Sequence, residues 1–119
     1  MQAFFSLLSK IEKNQFSPLY LLSGTEPFYI DTILKALKNK LVYEESKEFD
    51  FSQFYGKDAN INEILESVKR YPMISKFNVV VVKEAQLLNS IEFDHLASYA
   101  QNPLPQSILI ICYKNKIFD

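Results

Sequence analysis

The sequence predicts an α/β fold, a three-layer α/β/α sandwich on a parallel four-stranded sheet, and three observations carry that prediction. Four apolar runs recur, at residues 18–22, 49–55, 77–85 and 107–113, with stretches of helical spacing between them. The third run holds four consecutive valines at 79–82, framed by Phe77 and Ala85. β-branched residues fit a pleated backbone, and an unbroken apolar run fits a strand covered on both faces. The stretches between the runs have lengths suited to crossovers between parallel strands, and right-handed crossovers put helices on both faces of a sheet.

Taken in order, residues 2–13 place Phe4, Phe5, Leu7, Leu8 and Ile11 at helical spacing, a short amphipathic helix that residues 14–17 end. Residues 18–22 are the first strand. The turn Ser23-Gly24-Thr25-Glu26-Pro27 then opens a helix, with Thr25 or Glu26 able to accept its free amides and Pro27 suited to the first turn. Phe28, Ile30, Ile33, Leu34, Leu37 and Leu41 recur along one face to about Val42, and residues 43–47 form a charged loop. Phe49, Phe51, Phe54 and Tyr55 make a second strand of weaker pattern, closed by Gly56. Asn60 is placed to cap the next helix, with Glu63 three residues on and Ile61, Ile64, Leu65 and Val68 as its buried stripe. After the valine strand, Ser90 is the expected cap of a helix carrying Phe93, Leu96, Ala97 and Ala100. The segment Asn102-Pro103-Leu104-Pro105 stops it, residues 107–113 are the fourth strand, and residue 114 onward begins a turn. No repeat or linker divides residues 1–119, which read as one domain, and the stop after the fourth strand predicts a fragment of a longer chain.

Composition narrows the function classes. Thirteen Lys and Arg against fourteen Asp and Glu give a formal net charge of −1, leaving no basic surplus to hold phosphate backbones unaided. No segment approaches the roughly 18 apolar residues of a membrane span, and the N-terminus lacks a secretory layout, so the expected location is cytoplasmic. The single cysteine, Cys112, lies inside an apolar strand and reads as a small core residue.

Two places in this pattern could carry phosphate chemistry, and both lack the residues for it. The strand-turn-helix Leu22-Ser23-Gly24-Thr25-Glu26-Pro27 has no lysine and Ser/Thr pair for the phosphates and metal, and Glu26 sets a negative charge where phosphate would lie. The third strand ends Val82-Lys83-Glu84-Ala85, with Lys83 where a nucleoside triphosphatase presents a metal carboxylate. His95, the only histidine, sits beside Asp94 on a helix and lacks partners for a metal role. Neither catalytic residues nor a cofactor are expected.

The remaining feature is Tyr71-Pro72-Met73-Ile74, where two large apolar residues follow a proline that ends the preceding helix. On the residues alone two readings stand. Met73 and Ile74 either fold back under the sheet edge, or form an exposed anchor on a helix-to-strand corner, with Lys69, Arg70 and Lys76 around it to steer an acidic partner.

The order of elements and several strings resemble the N-terminal domain of the delta subunit of the bacterial DNA polymerase III clamp loader. The strings are residues 16–31, FSPLYLLSGTEPFYID; residues 71–85, YPMISKFNVVVVKEA; and residues 102–105, NPLP. The resemblance covers essentially the whole chain. It implies a nucleotide-binding-domain fold like that of AAA+ ATPases, truncated here and without a functional phosphate loop, with strand order 2-3-4-1. It implies a non-catalytic part of a nucleotidyltransferase complex that binds and helps open the sliding clamp during DNA replication. The matching site residues are Met73 and Ile74, flanked by Tyr71, Pro72 and Lys76; the family pair is often leucine and phenylalanine, so Met-Ile is a milder plug. Other clamp-loader subunits would be met through C-terminal regions absent from this chain, and DNA only within the assembled complex.

A reading from the enzyme class is a divergent nucleotide-binding domain using residues 23–25 and Glu84, separable by the thermal shift that magnesium and nucleotide would cause. A receiver-type regulatory domain also alternates β and α, but it needs a carboxylate at the end of the third strand, and Lys83 fits poorly.

Overall fold

The computed structural model describes residues 2–114. Helix α1, Gln2–Glu12, buries Ile11 completely and lays Phe4, Leu7 and Leu8 against the same core. It ends at Asn14, whose positive φ of 59° lets the Gln15 N–H reach back to the Lys10 carbonyl at 2.9 Å. Strand β1, Leu19–Gly24, leads to α2, Pro27–Leu41, which buries Ile30, Ile33, Leu34, Leu37 and Leu41 along one face as their spacing requires. A single-turn helix α3, Lys47–Asp50, precedes β2, Phe51–Tyr55. Helix α4, Ile61–Val68, is capped by Asn60, whose side chain accepts the Asn62 N–H at 2.9 Å. Strand β3, Asn78–Lys83, helix α5, Ser90–Ala100, and β4, Ser107–Lys114, complete the order.

The strands form one sheet in the order β1-β4-β3-β2, with all three pairings parallel. This is the order the family resemblance implies. The valine strand separates two cores because its side chains alternate. Val79 and Val81 join Ile108, Ile110 and Cys112 beneath α1 and α2. Val80 and Val82 join Leu109 and Ile111 beneath α4 and α5. The result is an α/β/α sandwich, and each fully buried valine or isoleucine is worth about 1.5–3 kcal/mol. Burial pushes the Cys112 thiol up to about 11, in keeping with a core residue.

Four local expectations need correction. Phe49 belongs to α3 and not to the second strand, because Asp50 N–H bonds back to the Ser46 carbonyl at 2.8 Å and turns the chain before the sheet begins. The cap of α5 is Asn89 and not Ser90: Asn89 accepts the Glu92 N–H at 2.8 Å and Glu92 accepts the Asn89 N–H at 3.0 Å, a reciprocal box. At the start of α2, Glu26 holds the cap position without a side-chain hydrogen bond, and Thr25 is exposed. Phe28, read with the apolar face of α2, is 67% exposed, and a 3-10 turn, Ala85–Leu87, follows β3. The turn expected from residue 114 lies outside the described residues, except for Lys114 itself, which ends β4.

Candidate functional site

The corner between α4 and β3 is built from a helix that stops early. After Val68 the amides of Lys69 and Arg70 bond to carbonyls only three residues back, at 3.3 Å each, and Pro72 forbids a further turn. The chain then crosses residues 71–77 in irregular form and enters the sheet at Asn78. Asn78, 1% exposed, fixes that entry: its side-chain amide donates to the carbonyls of Ser67 at 2.6 Å and Arg70 at 3.3 Å and to Ser107 Oγ at 3.2 Å. One buried amide thus joins the end of α4 to the starts of β3 and β4.

On this corner Tyr71, Met73 and Ile74 are 77%, 74% and 57% exposed. Of the two readings left open by the residues, the satellite core does not hold: both apolar side chains face water. Pro72 and Ser75 are partly buried, and Lys69, Arg70 and Lys76 are exposed around the pair. Lys76 Nζ lies 5.5 Å from the centroid of the Phe77 ring, and Arg70 donates to Ser52 Oγ at 3.2 Å.

The backbone of the exposed pair is held from behind. Asp50 Oδ1 accepts the Met73 N–H at 2.6 Å, and Asp50 Oδ2 accepts those of Ile74 at 2.8 Å and Ser75 at 2.6 Å. Asp50 is only 3% exposed. Its burial by itself raises the carboxyl pKa, but the three backbone donors and the nearby Arg70 charge outweigh that and hold it below the ordinary value. The hydroxyl of Ser75 also donates to that of the buried Ser46. Sequence reasoning passed over Asp50 because it stood inside a stretch read as a strand; the available signal was a lone carboxylate between Phe49 and Phe51.

The end of the sheet where phosphate chemistry would sit is arranged differently. Lys114, at the end of β4, pairs with Asp31 of α2 at 2.9 Å and lies 3.8 Å from Glu84, and these carboxylates raise its pKa, the Asp31 hydrogen bond most. Glu84 has a positive φ of 54° and accepts from Gln86 at 2.7 Å, while Gln86 in turn accepts the Lys114 N–H at 2.9 Å. Lys83 stands 5.9 Å from the centroid of the Tyr55 ring. His95 is exposed on α5. Among the described residues no helix is long and apolar enough to cross a membrane.

Fold and corner together define a class: a parallel α/β domain that presents an exposed apolar pair on a fixed helix-to-strand corner. Comparison with known proteins gives the family. The family model "DNA polymerase III, delta subunit" matches residues 20–119, and the chain belongs to that family. DNA polymerase III subunit delta of Bacillus subtilis (strain 168) is 22% identical over 115 residues, an alignment covering 90% of this chain and 33% of the relative. The solved structure of the Bacillus subtilis DNA clamp loader delta protein (YqeN) superposes with a TM-score of 0.86 at 21% identity, covering 98% of this chain and 37% of that one. The chain therefore spans about a third of the length of the relatives it matches.

Proposed function

We propose that residues 1–119 act as the clamp-engaging N-terminal domain of a clamp-loader delta subunit, with an AAA+-like fold that has lost phosphate chemistry. The domain captures one protomer of the sliding clamp by inserting Met73 and Ile74 into an apolar pocket, with Tyr71 and Pro72 beside the pair and Lys76 at its rim. The observation that carries this reading is the exposure of Met73 and Ile74, 74% and 57%, on a backbone tied down by three hydrogen bonds. Each side chain contributes about 1.5–3 kcal/mol if fully covered, the scale of a hot spot. Opening the ring then needs no hydrolysis in this domain, since a ligand shifts a conformational equilibrium by its differential affinity for the two states.

The charge network of Lys114, Asp31 and Glu84 supports the non-catalytic half of the proposal, because it commits the groups at the sheet's carboxyl end to one another. In this reading the other loader subunits are met through parts of the subunit beyond these residues, DNA is met only in the assembled complex, and the setting is the cytoplasm.

The test is Met73→Ala combined with Ile74→Ala. Both side chains are exposed, so the unfolding midpoint stays put while the heat of clamp binding disappears in titration calorimetry. An unchanged clamp affinity overturns the assignment.

A further inference from the structure

We infer that Asp50 is a positioning residue for the corner: its carboxylate gathers the backbone N–H groups of Met73, Ile74 and Ser75 and thereby sets the pose in which the two apolar side chains meet a partner. The inference rests on the reading of Met73 and Ile74 as the partner anchor, and it names a residue that touches no partner itself.

Residues 71–77 form no helix or strand, so their amides lack the ladder partners that regular structure provides. Three of these amides, consecutive in the chain, converge on one carboxylate at 2.6, 2.8 and 2.6 Å. Successive N–H groups turned toward one side make a concavity suited to an anion, and here a side chain of the same protein fills it. Fixing three successive amide directions also fixes where the Cα–Cβ bonds of Met73 and Ile74 leave the backbone. The apolar side chains stay in water while the peptide planes beneath them are ordered before any encounter, which lowers the ordering cost on binding. Ser46, 2% exposed, reinforces the same point through Ser75, and the guanidinium of Arg70 is the charge that faces Asp50.

Asp50→Asn keeps the shape but leaves one oxygen to accept three donors and sets an amide N–H₂ against them. In the full delta subunit two quantities are measured: the clamp Kd, and hydrogen exchange at the amides of residues 73–75 with Val80 and Leu109 as core references. The expected result is faster exchange at residues 73–75, unchanged protection at Val80 and Leu109, and a clamp Kd weaker by about tenfold or more. Faster exchange with an unchanged Kd overturns the inference, as does unchanged exchange at residues 73–75. If Asp50→Asn loses protection at Val80 and Leu109, Asp50→Glu, which keeps the charge but moves it by one methylene, is judged by the same readouts. The Met73→Ala, Ile74→Ala subunit is run in parallel. If it binds the clamp like the natural chain, the anchor reading itself fails; if it loses binding while Asp50→Asn does not, only the role of Asp50 fails.

Discussion

Gly56 closes β2, and its place is decided by one neighbouring carbonyl. Its N–H donates to the Lys83 carbonyl at 2.8 Å, and a Cβ built on it would meet the Glu84 carbonyl oxygen at 2.1 Å. An alanine therefore has to push the end of β2 away from β3, where backbone and not a flexible side chain must yield. Gly56→Ala is expected to destabilise the fold by about 2 kcal/mol, measured by denaturant unfolding; a midpoint equal to the natural chain's would remove this account of Gly56. That a glycine ended the second strand was legible in the sequence, but its reason was not, because Glu84 lies in another strand's exit. The same holds for Met73 and Ile74. Their side-chain type and their place after Pro72 were legible, whereas their exposure depends on how the neighbouring backbone is held.

Among the elements, α5 separates legible from illegible most cleanly. Its start was readable to within one residue, yet Asn89 and Ser90 are both good caps by type. The choice falls on Asn89 because Glu92 is then the third helical residue and can return the hydrogen bond. Asn89→Ala is expected to cost about 1 kcal/mol, and Ser90→Ala to leave chemical unfolding nearly unchanged; equal losses from the two would show that the reciprocal box has no special weight. Helix α3 escaped the pattern for a different reason. Four residues give too little periodicity to register, and the tie from Asp50 to residues 73–75 joins it to the corner across 23 to 25 residues of chain.

The molecule as a whole carries this tie into its response to acid. Asp50 has a folded pKa below its unfolded one, so its contribution is fully present above the unfolded value near about 4 and is lost as pH falls through the folded value. The thermal midpoint of the natural chain is therefore expected to drop on acidification below about pH 4, and that of Asp50→Asn to start lower and fall less steeply. Parallel acid profiles for the two would remove Asp50 from the account. Neutralising this carboxylate weakens its hold on three amides at once, which links α3, the corner and the entrance to β3.

By itself the sequence determined the layers: a run of four valines and the helical stripes around it are local patterns, and local periodicity sets which face of each element is buried. It also determined that the first turn lacks the lysine a phosphate loop needs. The strand order came from the family resemblance, and the observed order β1-β4-β3-β2 agrees with it. Only the tertiary structure decided what becomes of Asp50. Phe51 pairs with Val79 in register, so the residue before β2 and the residues leading into β3 arrive at the same end of the sheet. A buried carboxylate there meets backbone amides far along the chain, and their hydrogen bonds leave Met73 and Ile74 facing outward.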